Sequence, residues 1–305
     1  MNSAYPYHGP FRSRPLMRLL TAVVLLCSLC APQALASAEH PALWRVDHGD
    51  STLYLFGTVH FMPQGYYPLH PVIEDALASS DTLVLEFDLS KIDERDVQQL
   101  TLQQGLARDG RRLSTILDRA QWAALEQAVE SLGLQPALFD AMQPWLAALT
   151  LTAVSYGRAG LTPEQGVDTY LLERAGEDAR VLGLEDLESQ LRLFTDLSED
   201  MQVELLMQTV EQLPETERLV MAALEAWEKG DVDTLGAFLV RMYKEEPDLY
   251  DALITRRHAV WLPQLRDLLD EPGTHFIAVG ALHLTGDDSV IRGLEKEGYE
   301  VERVE

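Results

Sequence analysis

His60 and His283 close two matching tetrads, Gly57-Thr58-Val59-His60 and Gly280-Ala281-Leu282-His283, near opposite ends of the chain. Neutral imidazole is the commonest side-chain metal ligand, so two like histidines point first to a metal centre. The tetrad alone is weak evidence: 19 Gly and 8 His among 305 residues predict about 0.5 matches by chance. The surroundings make it specific. Thr52-Leu53-Tyr54-Leu55-Phe56 leads into the first tetrad and His275-Phe276-Ile277-Ala278-Val279 into the second. Both are short apolar runs of the kind that form buried strands. A Gly after a strand permits a tight turn or a close approach to a ligand, and open α/β sheets place their sites just past strand ends.

Glu86 is the third candidate, because it interrupts the apolar run Leu83-Val84-Leu85-Glu86-Phe87. A buried carboxylate costs several kcal/mol unless it is paired or ligates a cation. Asp88 competes for the same role, since strand alternation puts both on one face. Glu185 ends a second apolar run, Val181-Leu182-Gly183-Leu184, where it serves either the site or the start of the next helix. Arg257 either binds a substrate carboxylate, pairs with Glu86 or Glu185, or is simply a solvated helix charge. Asp168, at a helix start, is expected to cap or brace rather than to join the site. His70, His258 and His275 read as structural or exposed, His8 falls in the leader, and His40 and His48 lie near the mature terminus. There is no His-Glu-x-x-His helix and no Gly-x-Ser-x-Gly elbow.

The elements that must position these residues follow from the periodicity. Residues 44–89 predict β-β-α-β: a strand at Trp44-Arg45-Val46, a turn at Gly49-Asp50, the strand into His60, a helix from Pro71, and the strand through Glu86. Residues 274–304 return to β-α-β, with a helix over Asp288 to Glu297 and a last strand over Tyr299 to Val304. Between them, about 94–270 reads as a large helical insertion broken by one short strand, Arg180 to Glu185. Its last helical stretch, Leu249 to Leu269, is either two helices or one kinked at Pro263. The fold class is α/β: a central sheet built from two Gly-x-x-His units at the chain ends.

Residues 1–36 read as a secretory signal peptide, with Arg12, Arg14 and Arg18 ahead of an apolar stretch and Ala34-Leu35-Ala36 as the cleavage signal. The alternative is a chain anchored in a membrane by an uncleaved leader. Leu26 and Leu29 precede Cys27 and Cys30, which argues against a lipoprotein. Both cysteines lie in the leader, so residues 37–305 form a single domain with no disulfide and no cysteine nucleophile. The expected location is secreted or periplasmic. A net charge of -25 argues against nucleic acid and anionic lipid as partners.

Leu43-Trp44-Arg45-Val46, Leu53 to His60, Leu83-Val84-Leu85-Glu86 and Phe276 to His283 together resemble the TraB/PrgY/GumN family, whose animal relatives are the Tiki metalloproteases. Gly166-Val167-Asp168, Gly183-Leu184-Glu185 with Gln190, and Arg257 with Trp261 are weaker matches. The resemblance spans about Leu43 to Val304. It implies an erythromycin-esterase/ChaN-like α/β fold and a divalent-metal site of His60, His283 and Glu86. It also implies either peptide cleavage or the sequestering of a peptide or haem in the same cleft. Where the family often has Arg-Asn, this chain has Arg257-His258, a change that alters that position's role or adds a ligand. The expected chemistry is metal-assisted hydrolysis of a peptide or protein substrate. Glu86 or Glu185 is the expected general base, and Arg257 steadies the substrate or oxyanion. Mixed imidazole and carboxylate ligands suit manganese, cobalt, iron or zinc alike.

Overall fold

The structure, a computed structural model, describes residues 40–305 apart from 92, 108–109 and 244–246. The leader assigned to 1–36 lies outside the described residues. Eight strands are present among them: β1 (Leu43–His48), β2 (Ser51–Thr58), β3 (Met62–Pro63), β4 (Thr82–Phe87), β5 (Leu161–Thr162), β6 (Arg180–Glu185), β7 (Gly273–Gly280) and β8 (Glu302–Arg303). Six form the central sheet in the order β6-β4-β7-β2-β1-β8, while β3 and β5 pair separately.

The sheet joins the two chain ends at its centre. β2 and β7 run parallel in a register that sets Thr58 beside Gly280 and Gly57 beside Val279. β4 lies parallel to β7 on its other side, and β6 is parallel to β4. β1 turns back antiparallel to β2 through Gly49, whose φ of 57° suits the tight hairpin. β2 to β4 through the helix Pro71–Ala78, and β7 to β8 through the helix Val290–Lys296, are the two expected units. The last strand is shorter than expected, with only Glu302–Arg303 paired to β1.

Alternation distributes the side chains to two cores. Phe56, Leu83, Leu85, Phe276 and Ala278 pack with Ile73 and Leu77 of the helix Pro71–Ala78 and with Trp227. Leu53, Leu55, Val84, Ile277 and Val279 pack against Trp261, Leu265 and Leu269 of the helix Arg256–Leu269 and against Val290 and Leu294. Each buried Val, Leu, Ile or Phe among them contributes about 1.5–3 kcal/mol through burial of apolar surface. Glu86 shares its strand face with Val84, so it is delivered to the side that the helix Arg256–Leu269 covers.

The middle of the chain is helical as expected. Helices Arg119–Ser131, Pro144–Arg158 and Glu199–Gln212 share a third core containing Leu125, Val129, Leu151 and Leu206. The periodicity missed Glu94–Gly105, Leu113–Ile116 and Pro136–Phe139. Two of these are single turns, and the first presents a mostly exposed polar surface with no strong apolar stripe. Pro263 sits inside the helix Arg256–Leu269, while the irregularity lies upstream, in a π-helical turn at Asp251–Thr255. That turn leads directly into Arg257 and His258, and such turns often occur at functional sites.

Candidate functional site

Glu86 and Glu185 lie at the ends of adjacent parallel strands, β4 and β6, and Arg257 bridges them from the covering helix. The guanidinium donates from Nη2 to Glu86 Oε2 and from Nε to Glu185 Oε1 at 2.8 Å, with a further Nη2 contact to Glu185 Oε2 at 3.2 Å. Trp261, one turn along the helix, donates its indole N–H to Glu185 Oε1 at 2.8 Å and lies 4.5 Å beneath the guanidinium. Gln190 donates to Glu185 Oε2 at 2.5 Å. Arg257 and both carboxylates are almost fully buried. Charges so deep persist only when paired and hydrogen-bonded, as these are.

The two histidines approach from β2 and β7. Glu86 Oε1 accepts the backbone N–H of Gly280 at 2.7 Å and lies 3.8 Å from His283 Nε2. A Cβ on Gly280 would stand 3.1 Å from Glu86 Oε1, 3.5 Å from His283 Cδ2 and 4.0 Å from His60 Nε2. The bare glycine therefore marks a small cradle on which three of the expected ligands converge. Gly57, its counterpart, serves packing instead, since a Cβ there would meet Ala281 Cα at 2.8 Å.

Each histidine is held through its other ring nitrogen. His60 Nδ1 lies 2.7 Å from Asp168 Oδ2, and Asp168 Oδ1 accepts from Thr58 Oγ1 at 2.7 Å. Asp168 is in the first turn of the helix Val167–Arg174, which docks by donating Val167 N–H to Val59 O. Gly166 allows this approach, since a Cβ there would fall 2.5 Å from His60 O. His283 Nδ1 lies 2.9 Å from His258 Nε2, and His258 Nδ1 lies 2.7 Å from the Asp288 carbonyl. His283 Nε2 faces Arg257 Nη1 at 2.9 Å.

These settings separate the two imidazoles electrostatically. The Asp168 carboxylate raises the His60 pKa to about 9, although 55% of the side chain remains accessible to solvent. Burial lowers that of His283 to about 3, opposed by Glu86 and reinforced by Arg257. Burial also lowers that of His258. Burial pushes the Glu86 carboxyl up, but the charges of His283, Arg257 and His60 outweigh it and hold the group well below the usual carboxylate range. Because His283 is neutral above about pH 3, Arg257 and His60 carry that effect at neutral pH.

Among the described residues, no three His, Cys, Asp or Glu side chains stand in ready metal-holding geometry. The Arg257 guanidinium lies between Glu86, Glu185 and His283 instead. The donor set still suits a divalent ion. His60 Nε2, the His283 ring edge and Glu86 Oε1 surround the Gly280 cradle, His283 Nε2 lies 3.8 Å from Glu86 Oε1, and both Nδ1 atoms are engaged elsewhere, as ligating histidines require.

All five expected site residues, His60, Glu86, Glu185, Arg257 and His283, thus meet in one place. Asp88 turns away, pairing with Lys91 Nζ at 2.7 Å and accepting from Ser90. His70 accepts from Val72 N–H at the start of its helix, and His275 is buried at the opposite end of β7. Two readings need correction. Asp168 does more than brace a helix, because it holds His60. His258 is buried against the site rather than simply structural or exposed. Neither contact has a local sequence signal, since the partners are 108 and 25 positions apart.

Comparison with known proteins agrees with this architecture. Residues 42–303 match the TraB/PrgY/gumN family. Uncharacterized protein YbaP of Escherichia coli K12 is 26% identical over 243 residues, covering 79% of this chain and 87% of the relative. YbaP of Shigella flexneri matches with the same identity and coverage. No solved structure matches at a significant level. With a match that spans both histidine tetrads, all the sheet strands and the helical insertion, the chain belongs to the TraB/PrgY/gumN family.

Proposed function

We propose that this chain is an exported metal-dependent hydrolase, a peptidase that uses one divalent ion held by His60, His283 and Glu86. The observation that carries the reading is the convergence of His60 Nε2, His283 Cδ2 and Glu86 Oε1 on the Gly280 cradle, with each histidine anchored through Nδ1. When bound, a divalent ion supplies Lewis-acid activation of water and of a scissile carbonyl. Manganese, cobalt, iron and zinc all suit such ligands. Export rests on the leader-like residues 1–36. Among the described residues, no helix is long and apolar enough to cross a membrane.

The chain's own residues divide the remaining work. Glu185 accepts from Arg257 at Nε and Nη2, from Trp261 and from Gln190. So many donors favour an anchor for Arg257 over a proton acceptor. Glu86 is the carboxylate beside both histidines, and its Oε1 is the oxygen placed to ligate the ion while Oε2 is held by Arg257. The described contacts of Arg257 use Nε, both Nη2 hydrogens and one Nη1 hydrogen. The second Nη1 hydrogen is available to a substrate carbonyl or carboxylate.

Metal analysis of the wild type beside His60→Ala and His283→Ala tests the ligand set, and a peptide library tests turnover. We expect one ion per wild-type chain, loss of that ion in both variants, and cleavage that depends on the added metal. Full metal content in both variants would sink the ligand assignment. A loaded wild type that cleaves no library member would sink the peptidase reading.

A further inference from the structure

Outside its carboxylate ladder, the site contains a second line of contacts: Arg257 Nη1 to His283 Nε2, His283 Nδ1 to His258 Nε2, and His258 Nδ1 to the Asp288 carbonyl, at 2.9, 2.9 and 2.7 Å. The two ends of this line determine every proton in it. A guanidinium only donates and a carbonyl only accepts. Asp288 O therefore requires a hydrogen on His258 Nδ1. Arg257 Nη1 requires a lone pair on His283 Nε2. A neutral His283 then carries its hydrogen on Nδ1 and donates it to His258 Nε2, which must hold a lone pair. No other distribution of protons satisfies all three contacts.

We propose that His258 is a positioning residue that, backed by the Asp288 carbonyl, locks His283 into the Nδ1–H tautomer, leaving its Nε2 lone pair to face Arg257 Nη1. It does for His283, through a neutral ring, what Asp168 does for His60 through a carboxylate. His258 is not among the side chains nearest the Gly280 cradle, and its two ring nitrogens face His283 Nδ1 and the Asp288 carbonyl. The ring has little freedom to leave the line: it is 4% exposed, 5.1 Å from the His283 ring and 5.7 Å from that of Trp261. Asp288 precedes the helix Val290–Lys296, which Ser289 caps by accepting from Arg292 N–H. The acceptor that sets the tautomer is thus part of a fixed helix start.

The tautomer is read by nitrogen-15 NMR of the imidazoles in the full chain without metal, a measurement independent of the metal-site reading. Wild type is expected to show His283 with hydrogen on Nδ1. His258→Phe is expected to lose that preference, while His258→Gln, whose side-chain carbonyl can accept the same hydrogen, retains it. A wild-type His283 carrying its hydrogen on Nε2, or an unchanged tautomer in His258→Phe, overturns the proposal. If His258→Phe fails to fold, His258→Ala serves as the second non-accepting variant with the same criterion. A second arm, which does rest on the metal-site reading, titrates each protein with cobalt(II). His258→Phe is expected to weaken affinity about 10–100-fold and His258→Gln only a few-fold. Equal affinity of wild type and His258→Phe for cobalt overturns the positioning role. A wild type that binds no cobalt but shows the Nδ1–H tautomer overturns the metal reading and leaves the tautomer lock standing.

Discussion

Asp168 Oδ2 lies 2.7 Å from His60 Nδ1, so a carboxylate from the helical insertion secures a histidine from the sheet. His283 has no such charge behind it and relies on the His258 ring. The two tetrads are alike in sequence and unlike in setting, and most testable consequences follow from that difference.

Replacing Asp168 with Asn should return the His60 pKa from about 9 toward 6.5, followed by NMR titration. The folded-state pKa is raised, so this pair stabilises the fold fully below pH 6.5 and loses its effect as pH rises through about 9. The melting-temperature gap between wild type and Asp168→Asn should therefore be wider at pH 6 than at pH 9.5. A gap independent of pH would contradict the pairing.

His283 predicts the opposite dependence. Its folded-state pKa is depressed to about 3, so its neutral form stabilises the fold fully above pH 6.5 and this contribution declines as pH falls toward 3. In His283→Asn, the stability of the metal-free protein should fall less steeply between pH 6.5 and 5.5, a range above most of the usual titration of carboxylates. Denaturant midpoints across that range measure the effect. Parallel curves for the two proteins would exclude a buried neutral His283.

Arg257→Met should destabilise the fold by about 3–5 kcal/mol, because it strands two buried carboxylates. Arg257→Lys should recover only part of the loss, since an ammonium cannot reproduce the planar fork that spans Glu86 and Glu185. Urea unfolding provides the comparison. A Lys variant as stable as wild type would show that charge alone suffices.

The two tetrad glycines should respond differently to alanine. At Gly57 the new methyl meets Ala281 backbone at 2.8 Å, so Gly57→Ala should cost about 1–3 kcal/mol by overpacking. At Gly280 it enters the cradle 3.1 Å from Glu86 Oε1. Under the proposed metal reading, Gly280→Ala should lower metal affinity at least tenfold with the smaller change in stability. Calorimetric metal titration and thermal melts separate the two effects. Equal metal affinity in both variants would detach the cradle from binding.

The sheet and the principal site residues were legible because each has a local signature. His60 and His283 end apolar strands behind a glycine, and Glu86 breaks an apolar run whose alternation sets its face. The helices with a broad apolar stripe were legible for the same reason. Asp168 was not, since a carboxylate in a first helical turn usually serves the helix itself, and only the docking of Val167 onto Val59 O brings it to His60. His258 follows Arg257 on a helix and carries no mark of its own. Its role depends on the Asp288 carbonyl, a backbone atom that no residue type announces.

The parallel pairing of β2 with β7 also sets a schedule. A chain made from its N-terminus has His60 and Glu86 in hand long before, and Arg257 shortly before, it has residues 273–283. Until those last residues arrive, Glu86 lacks the Gly280 N–H, Arg257 lacks His283, and the centre of the sheet has a missing strand. The group of side chains is therefore incomplete during synthesis, and it is assembled only once residues 273–283 have taken their place between β2 and β4.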